Sequence, residues 1–307
     1  MRFDFKTLFT LSVLLCLPLS LLAQPDSTAG KRHAQEPERI LWMENVQNAY
    51  PRWSKDGSKI LFQSNRSGKW QIYVMNRDGW HEGQITRDSS NNNLPDWSPD
   101  NSMLAFVSDR GGNEDVYVMS MDGRGLKNLS NHPGRDIHPY WAPDGKSLLF
   151  NSNRDRADGF EIYRVNVDGS KLKRLTNSPD VKTCARFSPD GKKIVYLSGG
   201  TNDDVVVMNA NGTNPVNLTK SAAAEGWPAW SPDGKRIIYS CDEPGTFSLY
   251  FIHPDGSARR QITFPQPPYR DARAMISPDG SMLVFNRQTE TTIGIYTLNL
   301  PASNATK

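Results

Sequence analysis

The chain has 307 residues, 37% of them hydrophobic and 22% charged, and its 36 basic and 33 acidic side chains leave a formal charge of +3. That length holds one large domain or two small ones, and the composition is that of a folded globular protein. So even a balance argues against nucleic acid or an anionic membrane as the main partner, since both call for concentrated Lys and Arg.

In chain order, the first 23 residues read as an export signal. Arg2 and Lys6 precede an apolar run from Leu8 to Leu22, broken by Pro18, and Ala23 offers a small residue for cleavage before Gln24. The run falls short of the roughly 20 residues a membrane span needs. Leu15, just before Cys16, is not the small residue of a lipoprotein signal. The mature chain is therefore expected to be periplasmic or secreted, with no transmembrane anchor. Residues 24–37 are polar and without periodicity, a flexible tether. Loss of the signal leaves Cys184 and Cys241. An exported protein can pair them, two buried free thiols are the alternative, and geometry decides between these.

From residue 39 a single pattern takes over. It reads Trp53-Ser-Lys-Asp-Gly57, Trp97-Ser-Pro-Asp-Asn101, Trp141-Ala-Pro-Asp-Gly145, Phe187-Ser-Pro-Asp-Gly191, Trp230-Ser-Pro-Asp-Gly234 and Ile276-Ser-Pro-Asp-Gly280, at spacings of 44, 44, 46, 43 and 46 residues. Units of this size are those of four-stranded propeller blades. In each, a strand ends at the aromatic and Ser-Pro-Asp-Gly makes a tight turn, Pro presetting φ and Gly taking the positive φ that follows. An apolar strand such as Lys59-Ile-Leu-Phe62 comes next, then a polar loop and a third strand such as Gln71-Ile-Tyr-Val-Met75. Asp-Gly or Asn-Gly (Asp78, Asp122, Asp168, Asn211, Asp255) turns the chain into a fourth strand. No stretch has helical periodicity. The sixth unit runs out after its third strand, whereas Arg39-Ile-Leu-Trp42 precedes the first unit. Leu41 lies 12 residues before Trp53, as Ile85, Leu129, Leu175 and Leu218 lie 12 before their aromatics; Ile262 lies 14 before Ile276, across an insertion carrying Pro265, Pro267 and Pro268. The sequence thus predicts an all-β, six-bladed propeller over residues 39–300, its ring closed by the N-terminal strand completing the last blade, and a tail at 301–307. A monomer is expected.

These repeats resemble the TolB-like propeller family, whose units read roughly P-x-W-S-P-D-G, then S-[ND]-R, then I-Y-V-M. Pro51-Arg-Trp53, Ser64-Asn-Arg66 and Ile72-Tyr-Val-Met75 match closely, as do Ser108-Asp-Arg110 and Ser152-Asn-Arg154, whereas Ser198-Gly-Gly200, Cys241-Asp242 and Asn286-Arg287 are degenerate. The resemblance covers residues 39–300 but not the N-terminal α/β domain that the family's namesake carries. It implies a periplasmic protein whose channel mouth receives a partner, as the namesake receives the peptidoglycan-associated lipoprotein. The same repeat occurs in propellers of prolyl-oligopeptidase-like peptidases and oligogalacturonate lyases.

One face of such a ring carries the uniform Ser-Pro-Asp-Gly and Asp-Gly turns, which read as scaffold; the other carries varied loops, which read as recognition. The repeated aspartates read as turn acceptors and the tryptophans as packing between blades. Counting five residues back from each aromatic gives Asn48, Asn92, Asp136, Lys182, Glu225 and Asp271, expected to ring the channel mouth on the varied face. Three residues back come Tyr50, Leu94, His138, Cys184, Trp227 and Arg273. With Arg135, Tyr269 and Arg270 these compose a candidate binding rim, aromatic and arginine anchors being what interface centres favour. Asp136, Glu225 and Asp271 suggest oxygen ligands for calcium in the channel, with a solvated polar rim as the alternative. Arg66, Arg110 and Arg154 could take a carboxylate or an anionic sugar, or brace the loops.

No G-x-S-x-G elbow is present, which removes a serine peptidase of the α/β-hydrolase type. A metal-assisted polysaccharide lyase or glycoside hydrolase remains the enzyme alternative, though only His132 and His138 of the five histidines lie near the mouth. The reading favoured is a binding platform for a protein, peptide or cell-envelope glycan, with no cofactor required.

Overall fold

The computed structural model describes residues 36–199 and 202–301. The expected export signal, residues 24–35 of the expected tether and residues 302–307 of the expected tail lie outside the described residues. Twenty-four strands form six four-stranded antiparallel sheets, with no helix among the described residues. The first blade is typical: Asn48–Trp53 is innermost, followed outward by Lys59–Ser64, Gln71–Asn76 and Gly83–Gln84. In the sixth blade, Arg270–Ile276, Met282–Gln288 and Ile293–Asn299 are completed by Glu38–Leu41, which pairs with Ile293–Asn299. The N-terminal strand therefore closes the ring, as the repeat spacing predicted.

Among the described residues there is no single central core. Six apolar clusters form instead, each filled from two neighbouring blades. Leu61, Ile72, Leu104 and Phe106 join the first blade to the second. Val195, Val207, Ile237 and Tyr239 join the fourth to the fifth. The last cluster combines Leu41, Val284 and Ile295 of the closing blade with Trp53, Ile60 and Phe62 of the first. Each blade is apolar on both faces, and only a neighbour on either side removes both faces from water.

The repeated motif supplies the joints. In the first turn, Asp56 accepts from Ser54 Oγ at 2.6 Å and Ser58 Oγ at 2.7 Å, while Ser54 Oγ accepts the Lys59 amide at 2.9 Å. These hydroxyls hold the Asp56 carboxyl down to about 2. The fourth turn residue has positive φ in all six repeats, and Asn101 at 60° replaces glycine in the second. Asn tolerates that region, and its side chain also accepts the Lys55 amide of the first blade at 2.7 Å. The indole N–H groups of Trp53, Trp97 and Trp230 donate across to Met275 O, Arg52 O and Arg186 O of the preceding blade, at 3.3, 3.2 and 3.3 Å. Cys184 and Cys241 share one cluster as free, buried thiols, so they do not pair.

Closure makes one residue testable. Leu41→Ala empties part of the seam between the last blade and the first, and should lower the unfolding free energy by about 2–4 kcal/mol in urea denaturation.

Candidate functional site

Every inner strand contains the same irregularity. Asn48 pairs with Ser64 and Ala49 with Gln63, but the next partners are Arg52 with Leu61, so Tyr50 and Pro51 together oppose Phe62. The shift recurs in all six inner strands. The residue at the bulge has left-handed backbone each time: Tyr50 at φ 55°, Leu94 at 50°, His138 at 53°, Cys184 at 55°, Trp227 at 48° and Arg273 at 57°. For side chains with a Cβ this conformation costs roughly 1–2 kcal/mol per residue. It re-aims each side chain off the strand's alternation, and five of the six line one cavity on the ring axis, with Arg52, Tyr140 and Arg186 beside them.

The bulge also relocates the residues five positions before the aromatics. Asn48, Asn92, Asp136 and Asp271 have no exposed surface, and Lys182 and Glu225 retain 5% and 3%. They sit within the blades rather than around an open mouth: counting back from the aromatics finds equivalent positions but not which way their side chains face. Their partners are the loop arginines. Arg66 donates to Ser64 Oγ at 3.0 Å and Asn48 Oδ1 at 2.9 Å, over the rings of Phe62 and Tyr73. Arg110 repeats this with Ser108 and Asn92. Arg154 reaches both oxygens of Asp136 at 3.1 Å from over Phe150 and Tyr163. These arginines brace their blades.

The degenerate repeats keep the brace by other routes that the motif did not reveal. Arg287 donates to both oxygens of Asp271, at 2.7 and 2.9 Å. Arg259, which sits four residues past Asp255 of the outer Asp-Gly turn, stacks over Tyr250 and donates to Tyr239 Oη at 2.7 Å. Glu225 accepts from Ser221 Oγ at 2.7 Å, and burial raises its pKa, as it does that of Asp136. Lys182 donates to Ser178 Oγ at 3.0 Å.

At the mouth, Arg273 lies over Trp227 at 4.2 Å and Tyr50 at 4.7 Å, and Trp227 donates to Tyr50 Oη at 3.3 Å. Tyr50 also meets His138, ring centres 6.2 Å apart. Cys184 Sγ stands 3.9 Å from His138 Nε2. Burial, with Arg186, Arg52 and Arg273 nearby, pulls His138 down to about 3, and burial raises the Cys184 thiol. Both are neutral near pH 7, not the thiolate–imidazolium pair of a cysteine nucleophile. Tyr269 and Arg270 are exposed farther out, Arg270 lining a cleft of about 190 Å³ with Pro267 and Pro268 of the insertion. Arg135 is exposed and pairs with Glu114 at 2.6 Å.

One residue before each aromatic lies a belt the sequence reading passed over: Arg52, Asp96, Tyr140 and Arg186, then Ala229 and Met275. Three ionisable side chains in otherwise buried inner strands were the available signal. Asp96 stands 3.8 Å from Arg52 and accepts the Trp141 amide at 2.9 Å. Burial lifts Asp96 to about 6 and lowers Arg52 to about 9, despite their mutual attraction. Beyond this belt a cavity of about 220 Å³ opens on the uniform-turn face, lined from all six blades, with Ser-Pro pairs from the second, fourth and fifth.

Among the described residues no three His, Cys, Asp or Glu side chains gather as a cation's ligand set. Asp136 and Asp271 are each occupied by an arginine, and the axis carries guanidinium groups, which disfavour a metal cation. The raised Asp96 gives a pH signature. Its folded pKa lies above the unfolded value of 3.8, so the native state binds the extra proton between about pH 4 and 6. Its contribution therefore stabilises the fold as pH falls through that window and weakens it as pH rises. Asp96→Asn should flatten this part of a Tm-against-pH profile relative to wild type.

Comparison with known proteins bears on this architecture. A family model, the TolB beta propeller domain, matches at residues 34–124, 89–203 and 181–307. No curated protein matches the sequence significantly. TolB from Acinetobacter baumannii superposes with a TM-score of 0.64 at 27% identity, over 73% of this chain and 55% of that one, so this chain spans about half that protein's length. A putative TolB from Agrobacterium tumefaciens gives 0.64 at 18% identity, over 87% and 100%. An oligogalacturonate lyase in complex with manganese gives 0.61 at 14% identity, over 89% and 95%, a likeness of fold alone. With the family model matching nearly the whole of its blades, this chain belongs to the TolB β-propeller family.

Proposed function

We propose that this protein is an exported binding platform that captures a protein or peptide of the cell envelope at the varied-face mouth of its channel. One observation carries the reading: six side chains are held in left-handed backbone around the axis, and three of them, Tyr50, Trp227 and Arg273, stack there. Backbone strain concentrates where geometry serves a task, and partly exposed aromatic and arginine side chains at a central depression are the anchors that protein partners use. Tyr269, Arg270 and Arg135 extend the surface outward as a polar rim. The signal-like residues 1–23 support export to the periplasm or beyond. Cys184 and His138, the two nucleophile-like groups at the mouth, are both held neutral by burial, which fits a binding surface.

The test is affinity measured by calorimetry or surface plasmon resonance for the envelope protein that purified wild-type chain recovers. Trp227→Ala should weaken that complex by about 2 kcal/mol, roughly 30-fold in Kd, with the urea transition unmoved. Tyr269→Ala at the rim should cost less. Unchanged affinity in Trp227→Ala and Arg273→Ala together would remove this face from consideration. Asp271 is unsuited to the test, because its loss strands Arg287 and perturbs the fold.

A further inference from the structure

The belt one residue before the aromatics divides its charges between the two ends of the axis. Arg52 and Arg186 line the small chamber under the mouth, whereas Asp96 lines the turn-face cavity of about 220 Å³. Trp53, Trp97, Tyr140, Trp141, Phe187 and Trp230 wall that cavity, with prolines from five of the six turns. Its serine hydroxyls are already committed. Ser54, Ser98, Ser188 and Ser231 donate to Asp56, Asp100, Asp190 and Asp233 at 2.6, 2.5, 2.6 and 2.5 Å. Among the described residues Asp96 is therefore the one carboxylate lining the cavity, and the exposed Lys55 the one ammonium. One Asp96 oxygen accepts the Trp141 amide at 2.9 Å, while the other stands 3.8 Å from Arg52 Nε, beyond hydrogen-bond reach. A carboxylate offers about four acceptor positions, so capacity remains. Burial holds Asp96 up at about 6 despite Arg52 and Arg186, and burial with the Asp96 charge pushes the neighbouring Tyr140 phenol up as well. A further cation beside Asp96 favours its ionised form, and aromatic walls attract organic cations. The volume is several times the ~30 Å³ share of one water and below the ~300 Å³ at which drug-sized pockets begin, so the ligand is small.

We propose that the turn-face cavity binds an alkylammonium group, its charge set against Asp96 and its carbons among the aromatic side chains. The site faces away from the mouth and stands whether or not a partner binds there. The experiment is a titration followed by ligand-observed NMR, with butylammonium as a free amine and Nα-acetyl-lysine amide as a protein side chain. Both should bind at pH 7.5, the tighter one showing which carrier the cavity suits, and 1-butanol and butyrate should bind at least about tenfold more weakly. The ammonium groups stay charged throughout, so affinity should rise about tenfold from pH 5 to 7.5 as Asp96 loses its proton. Asp96→Asn should weaken butylammonium about tenfold and remove that pH dependence, while Trp227→Ala at the mouth should leave binding intact. Should Asp96→Asn fail to fold, the wild-type pH profile and the 1-butanol comparison decide the matter. Butanol binding as tightly as the amine, an affinity flat between pH 5 and 7.5, or loss of binding in Trp227→Ala would each overturn the proposal.

Discussion

Burial of apolar surface between neighbouring blades governs everything else in this molecule. A four-stranded sheet that is apolar on both faces has no stable existence alone, and no blade here has a second layer of its own. Each of the six clusters draws on two blades, so the chain gains full burial only when the ring closes. Closure in turn rests on four residues, Glu38–Leu41, donated from the far end of the sequence. The turn aspartates, the cross-blade indole bonds and the Asn101 bridge to Lys55 are joints that keep these seams in register.

Within that frame the inner strands serve two incompatible demands. They must pair outward with the second strand, and they must present something to the axis. The bulge resolves the conflict by spending two residues against one, at a cost in backbone strain repeated six times. Its result is a sorting by position. Residues before the bulge go inside the blades, where arginines satisfy four of them and serine hydroxyls meet Lys182 and Glu225. Residues at the bulge enter the mouth, and those after it form the charged belt beneath.

The electrostatics follow from the same sorting. Arginines that brace blades sit over aromatic pairs with carboxylate or amide acceptors beside them, so their charge is absorbed locally. Asp96 is the carboxylate that faces the axial Arg52, and burial, with the neighbouring guanidinium groups, depresses His138 and Arg52 alike.

The sequence by itself determined the architecture: blade count, turn chemistry, strand order and ring closure all follow from residues whose effects are local and repeated, such as the Pro-Asp-Gly turns and the 12-residue spacing from Leu41 to Trp53. It did not reveal that Asn48, Asp136 and Asp271 are buried, because a count back from the aromatics fixes equivalent positions but not their direction, and the bulge occupants are as dissimilar as Tyr50, Cys184 and Trp227. Nor did it pair Arg287 with Asp271 or Arg259 with Tyr239, since long side chains reach the same place from different positions in the chain. The free state of Cys184 and Cys241 and the meeting of Arg52 with Asp96 were decided only in three dimensions. Those contacts join residues of different blades, and their distances are set by how the blades close around an axis that no local pattern encodes.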